Sequence, residues 1–81
     1  WSVSSSIVPP REIFICALEK KAVHIVMVHN HPSGRAVPSG EDNTVTARIA
    51  EAGKLLGIAL SDHIIIGDRT YFSYREAGDL T

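Results

Sequence analysis

The apolar positions along the chain change their spacing several times, and each change predicts an element of secondary structure. Serine, valine and isoleucine dominate residues 2–8, which we expect to form a strand that ends at Pro9 and Pro10. Apolar residues at helical spacing then predict a helix over residues 10–21, with Pro10 in its first turn. A nearly unbroken apolar run at residues 23–28 predicts a central strand covered on both faces.

The second half of the chain repeats this alternation. Apolar residues at helical spacing predict a helix over residues 40–56, with Gly57 as its left-handed cap. Gly53 inside this helix indicates close packing on the sheet. Residues 58–66 predict another strand, and a turn leads into residues 70–73 as its hairpin partner. The order strand, helix, strand, helix, strand, strand predicts an α/β fold, a mixed β-sheet flanked by helices on its faces.

Size and composition indicate one small domain over residues 1–81. With 81 residues and 44% hydrophobic positions, the chain can bury only a thin core. It starts at Trp1 and runs almost directly into strand-like sequence. We therefore expect it to be the C-terminal portion of a longer protein, truncated at the N-terminus, in which missing strands or a second copy in a homodimer complete the sheet.

The charge and the cysteine content limit the classes of partner and the cellular compartments that the sequence supports. The net charge of −1 comes without the basic stripe that binds nucleic acid, so charge does not support a nucleic-acid partner. Cys16 cannot form an internal disulfide and is expected to be a small core residue. The sequence shows no signal peptide and no apolar run of membrane-spanning length, so we expect a cytoplasmic protein without a membrane partner.

Two histidines follow the predicted central strand. Because side chains two apart on a strand point the same way, the rings of His29 and His31 can converge on one point. A loop rich in proline, glycine and serine can then return Asp42 to them. Two imidazoles, one carboxylate and an open fourth position form the arrangement of catalytic zinc, and a single cysteine excludes a thiolate cage. The sequence therefore predicts a Zn²⁺ site.

Each predicted ligand also has an interpretation that requires no metal. The histidines could end a strand and form hydrogen bonds within the loop. Ser39 and Asp42 have the spacing of a capping box, with Ser39 as the N-cap of the following helix. We expect that one carboxylate cannot fully serve both purposes. Our hypothesis is that Asp42 turns inward to the ion and that Ser39 donates to the oxyanion of the substrate.

The other histidines have weaker claims to a functional role. His63 follows Asp62, and this carboxylate could orient the ring near the metal, but we favour a structural hydrogen bond in the last part of the sheet. Both residues stay outside the predicted catalytic set, and His24 is expected to be a packing or surface residue. The contiguous His-Asn-His does not indicate an HNH nuclease, in which these residues are dispersed through a longer fold.

The His-x-His-Pro stretch, with Ser39 eight residues after the second histidine and Asp42 three further on, resembles the signature of the JAB/MPN (JAMM) metalloproteases. A wider set of segments resembles the bacterial RadC family across nearly the whole chain: Pro-Arg-Glu-Ile-Phe at 10–14, His-Asn-His-Pro-Ser-Gly at 29–34, Pro-Ser at 38–39 with residues 42 and 46, and Asp-His at 62–63 with residues 65 and 67. The fold that this resemblance implies is a JAB/MPN domain with the three-layer architecture of cytidine deaminases.

The resemblance also implies a function. It implies a zinc-dependent hydrolase in which His29, His31 and Asp42 bind the ion, and the substrate it implies is a peptide or isopeptide bond of a protein. It further implies an upstream glutamate as general base, which maps to Glu12. Without the resemblance, Glu12 reads as a first-turn acid that interacts with the helix dipole. The alternative for the whole chain is a non-catalytic RadC-like interaction or scaffold module associated with DNA repair or mobile elements.

Overall fold

The computed structural model describes residues 2–4 and 8–80. Its elements are, in chain order, β1 (Ser2–Ser4), α1 (Pro10–Glu19), β2 (His24–Asn30), α2 (Gly40–Leu56), β3 (Ala59–Ile66) and β4 (Tyr71–Ser73). The strands form one sheet in the order β1-β2-β3-β4, in which the first three are parallel and β4 is antiparallel to β3. The prediction of an α/β domain with a mixed sheet is confirmed. Part of the first predicted strand, residues 5–7, lies outside the described residues.

The two helices begin and end at residues that suit those positions. Pro10 occupies the first turn of α1, where a missing N–H removes no helical hydrogen bond. This helix ends two residues before its predicted limit, because the backbone at Lys21 turns to a φ of 54°. Helix α2 has its predicted bounds and ends at Gly57, whose φ of 73° is the left-handed cap conformation. Within residues 2–4 and 8–80, neither helix is long and apolar enough to cross a bilayer.

The hydrophobic core joins both helices to one face of β2. Ile25 and Met27 are two apart on the strand and therefore face the same side of the sheet. Ile25 is the strand's member of a buried cluster that also contains Ile13, Phe14, Ala17, Ile49 and Ile58, and Met27 packs against this cluster. Continuing the alternation, His29 lies on the same face of β2 as the core.

The end of α2 approaches the start of β3 closely. A Cβ atom added at Gly53 would lie 2.1 Å from the carbonyl oxygen of Ile58, which is less than any real contact. The backbone N–H of Ile58 also donates to the carbonyl of Gly53 at 2.8 Å. The prediction that Gly53 marks close packing is confirmed, and this contact fixes α2 against the sheet.

The pairing of β2 with β3 contains an irregularity that affects the site. The register shifts by one residue between Ile25 and Val26, and Ser61 is the extra residue on β3. Beyond the shift, His63 pairs with Met27. Neighbouring residues in register point to the same face of a sheet, so this β-bulge places His63 on the core face of the sheet.

Candidate metal centre

The side chains of His29, His31 and Asp42 converge where β2 ends and α2 begins. One potential ligand atom from each residue lies within 4.8 Å of the other two. Nε2 of His29 is 3.1 Å from Oδ1 of Asp42, and Nε2 of His31 is 2.9 Å from Oδ2. The Asp42 side chain is only 4% exposed, whereas the two histidine side chains keep 13% and 18% exposure. The structure therefore brings the three predicted ligands together in a partly open cluster.

The strand geometry accounts for the convergence of the two rings. Strand β2 extends to Asn30, so His29 lies within it and His31 directly follows it. The backbone N–H of His31 still donates to the carbonyl of Ile66 on β3 at 3.0 Å, which continues the pairing past the end of the strand. The two ring centroids are consequently 5.0 Å apart on one face, as the spacing predicted.

A backbone carbonyl orients the ring of His31. Its Nδ1 lies 3.0 Å from the carbonyl oxygen of Arg35. A carbonyl only accepts hydrogen bonds, so Nδ1 carries the hydrogen and the Nε2 of the neutral ring has a free lone pair. Histidines that bind metals commonly donate their other ring N–H in this way.

The loop that supplies this carbonyl lies directly against the turn between β3 and β4. A Cβ atom at Gly67 would be 2.6 Å from the carbonyl oxygen of Gly34 and 2.8 Å from the backbone nitrogen of Ala36. The backbone N–H of Asp68 donates to the same Gly34 carbonyl at 2.7 Å. The β3–β4 turn therefore supports the segment on which Arg35 lies.

Asp42 belongs to the cluster and to a helix cap at the same time. Its Oδ2 accepts the backbone N–H of Ser39 at 2.7 Å, and its own N–H donates to the hydroxyl of Ser39 at 3.0 Å. The capping-box interpretation is confirmed, and the two oxygens of the same carboxylate also lie close to both histidine rings. Burial raises the pKa of the Asp42 carboxyl, but hydrogen bonding to Ser39 outweighs burial and holds the pKa below its usual value.

His63 contacts the cluster directly, which corrects the favoured interpretation of a purely structural hydrogen bond for this residue. Its Nε2 lies 2.9 Å from Nδ1 of His29, and its Nδ1 lies 2.5 Å from Oγ1 of Thr46. The ring is buried and stacks on Tyr74 at a centroid distance of 4.9 Å. Burial, together with the neighbouring His29, lowers the pKa of His63 to about 4, so the ring is neutral at neutral pH. The signal available in the sequence was a histidine directly before the three isoleucines of β3.

Asp62 has a structural role that is separate from the histidine rings. Its carboxylate accepts the backbone N–H of His63 at 2.7 Å, the hydroxyl of Ser73 at 2.5 Å and the backbone N–H of Arg75 at 3.0 Å. These bonds tie β3 to β4 and the following turn. The favoured reading of Asp62 as a structural hydrogen-bond partner is confirmed, and the alternative in which it orients the His63 ring is not what the structure shows.

The remaining candidates are exposed or lie outside the cluster. Glu12 is exposed in the first turn of α1, and among the described residues the cluster of potential ligands does not include it. Ser39 is exposed at the N-cap of α2. His24 is exposed on β2 as expected, and Cys16 is a half-buried free thiol. The catalytic roles of Glu12 and Ser39 remain predictions.

Comparison with known proteins gives a consistent family match. The family model described as a RadC-like JAB domain matches residues 2–79. The chain is 56% identical over 75 residues to a UPF0758 protein of Alkaliphilus metalliredigens, which covers 93% of the chain and 32% of that protein. It is 54% identical over 79 residues to a UPF0758 protein of Halalkalibacterium halodurans, covering 98% of the chain and 34% of that protein. The chain thus spans about a third of the length of these curated relatives.

Proposed function

The chain belongs to the RadC-like JAB domain family, and from this premise we propose that it is the metal-binding part of a zinc-dependent hydrolase that cleaves peptide or isopeptide bonds. His29, His31 and Asp42 hold the ion in this proposal. The partner is a peptide or protein substrate. We place the protein in the cytoplasm, where a reducing environment suits a free thiol such as that of Cys16.

The observation that carries the proposal is the convergence of two imidazole nitrogens on one buried carboxylate. The Nδ1 of His31 is committed to the Arg35 carbonyl, so its neutral ring turns a lone pair toward Oδ2 of Asp42 at 2.9 Å. With the ring neutral, these two groups only accept hydrogen bonds and repel each other at this distance, and either a metal ion between them or a proton on Nε2 relieves the repulsion. Two neutral imidazoles and a carboxylate are also a donor set of catalytic zinc sites. The residues present therefore fit the ion.

The chemistry proposed for the neighbouring residues follows from this ligand set. A zinc ion in such a site lowers the pKa of water to about 7 and polarises a substrate carbonyl. Glu12 accepts the proton of the attacking water and passes it to the leaving amine. Ser39 donates to the developing oxyanion. In the cap its hydroxyl accepts the N–H of Asp42, and this bond does not use the hydroxyl hydrogen.

Metal analysis of the purified chain tests the proposal. We expect one equivalent of zinc per chain in the wild type and its loss in both His31→Ala and Asp42→Ala. His24→Ala is the matched control, because His24 is an exposed histidine on the same strand and should leave the zinc content unchanged. Equal zinc content in all four proteins would overturn the metal site.

Cleavage of a peptide library, read by mass spectrometry, separates a hydrolase from a non-catalytic metal-binding module. The zinc-loaded wild type should generate new peptide termini that are absent with His31→Ala. A chain that binds zinc at His29, His31 and Asp42 and generates none under conditions where a zinc peptidase used as a positive control is active would favour the interaction or scaffold module.

A further inference from the structure

We propose that Thr46 and His63 are positioning residues for His29, which fix its ring in the tautomer that leaves Nε2 unprotonated and thereby raise the affinity of the centre for a divalent metal ion. This inference rests on the proposed function, since it concerns the same site. It assigns a role to two residues on α2 and β3 that lie outside the predicted ligand set.

The direction of the hydrogen bonds is set at the backbone carbonyl of Asp42. The Thr46 hydroxyl lies 2.7 Å from this carbonyl oxygen and donates to it, because a carbonyl only accepts. A hydroxyl has one hydrogen, and Thr46 has now used it. The contact of 2.5 Å between Thr46 Oγ1 and Nδ1 of His63 therefore requires that His63 donates.

The position of the hydrogen on the His63 ring then determines which nitrogen of His29 carries a hydrogen. A neutral imidazole carries one hydrogen, so a ring protonated at Nδ1 has a lone pair at Nε2. That Nε2 lies 2.9 Å from Nδ1 of His29, which must therefore carry the hydrogen of this bond. The remaining nitrogen of His29, Nε2, is left unprotonated, and it is the atom that faces Oδ1 of Asp42 at 3.1 Å.

The hydrogen bonds thus begin at the backbone carbonyl of Asp42, pass through Thr46 and His63, and end at His29, whose lone pair at Nε2 faces the side chain of the same aspartate. In His31 a single hydrogen bond, from Nδ1 to the Arg35 carbonyl, fixes the same tautomer. Both rings consequently present Nε2 to the carboxylate. Partners of this kind, one step behind the ligands, typically change metal affinity 10- to 100-fold when they are removed.

Packing makes the His63 ring a rigid support. His63 is 1% exposed and Thr46 is 3% exposed, so water has little access to replace either partner. The His63 ring stacks nearly parallel on Tyr74, with an interplanar angle of 6°. Tyr74 is itself fixed by donation of its hydroxyl to Asn43 at 2.7 Å. The ring therefore cannot rotate away from His29 without disturbing the core.

Two matched pairs of variants test the inference through zinc affinity, measured by competition with a chromophoric chelator. Thr46→Val removes the hydroxyl at nearly constant volume, whereas Thr46→Ser keeps it. His63→Met removes both ring nitrogens, whereas His63→Gln keeps an amide oxygen that can accept the Nδ1–H of His29. We expect affinity to fall roughly 10- to 100-fold in the valine and methionine variants and to recover within a few-fold in the serine and glutamine variants.

Circular dichroism of each variant shows whether it is folded, which separates loss of positioning from loss of structure. If folded Thr46→Val and His63→Met bind zinc as tightly as the wild type, the inference is overturned. If Thr46→Ser and His63→Gln are folded but lose as much zinc affinity as Thr46→Val and His63→Met, the positioning role is also overturned. The hydrogen bonds would then not determine the affinity.

Nitrogen-15 spectra of the histidine rings in the metal-free wild type, recorded where the rings are neutral, test the tautomers directly. We expect His29 and His63 both to carry their hydrogen on Nδ1, and a hydrogen on Nε2 of either ring would contradict the inference. This measurement does not depend on metal. A wild type that binds no zinc would therefore refute the proposed function, while the spectra would still decide the tautomers.

Discussion

Ser39 and Asp42 exchange two hydrogen bonds, from the backbone of each residue to the side chain of the other, at 2.7 and 3.0 Å. The carboxylate that closes this helix cap also faces both histidine rings. The start of α2 and the candidate metal centre therefore share one side chain, and the two roles can be separated by substitution.

Asp42→Asn should separate the cap from the metal site. Its amide oxygen can still accept the Ser39 N–H, so we expect the free energy of unfolding in chelator to stay within about 0.5 kcal/mol of the wild type. Asp42→Ala should lose about 1 kcal/mol, the usual cost of removing a capping side chain. Both variants should bind zinc at least about 10-fold more weakly. Urea denaturation and chelator competition measure the two quantities, and wild-type zinc affinity in Asp42→Asn would contradict the ligand role.

Zinc should stabilise the folded chain. A ligand that binds only the native state adds about 2.7 kcal/mol to the free energy of unfolding when its free concentration is 100 times its Kd. We therefore expect zinc to raise the thermal midpoint of the wild type and a chelator to reverse the change. His24→Ala should respond like the wild type. An undiminished response in His31→Ala would show that zinc stabilises the chain from another site.

Gly53→Ala should destabilise the fold without touching the metal centre. The new methyl group would meet the Ile58 carbonyl at 2.1 Å, and backbone on both sides must move to accommodate it. We expect a loss of roughly 1–3 kcal/mol, as for other overpacked positions. Gly40→Ala is the control, since nothing lies within 4 Å of its added Cβ. Similar thermal midpoints for the two variants would mean that the close contact does not limit stability.

Glu12→Gln should abolish hydrolysis while leaving zinc bound, because an amide cannot accept the proton of water at neutral pH. Glu19→Gln, at the opposite end of α1, provides a control with the same change in charge. Product formation from a peptide library and zinc content are measured on the same preparations. Normal turnover by Glu12→Gln would exclude Glu12 from the mechanism and leave it as a first-turn acid.

Ser39→Ala should lower the rate of hydrolysis by roughly a hundredfold or more and retain zinc. Because Ser39 also caps α2, this variant should lose about 1 kcal/mol of stability. Ser39→Gly separates the two effects, since glycine at an N-cap costs only about a few tenths of a kcal/mol. A glycine variant as active as the wild type would remove the hydroxyl from catalysis.

The parts of the fold that local sequence signals determine could be predicted. The bounds of α2 follow from Ser39 at its start and Gly57 at its end, and the structure reproduces them. The convergence of His29 and His31 follows from the period of a strand. Spacing predicted both the cluster and the cap for Asp42, but whether one carboxylate can lie in both depends on the angle at which the helix meets β2, which spacing does not determine.

The contact between His63 and His29 could not be predicted, because it depends on the register of two strands. With regular pairing from Leu60 onward, His63 would stand opposite Val28 and point away from the ligands. The extra residue Ser61 reverses this orientation. A sequence read one strand at a time contains no information about such a shift.

The close approach of other backbone atoms to Gly67 restricts which residues can replace it, although Gly67 is not a ligand. A methyl group there would push on the segment from Gly34 to Ala36, and with it the carbonyl of Arg35 against which the His31 imidazole is braced. Replacing this hairpin turn with a different one should therefore lower the metal affinity of the centre even though every ligand is kept. Residue 67 should accordingly tolerate replacement as poorly as the histidines themselves, although it contributes no donor atom.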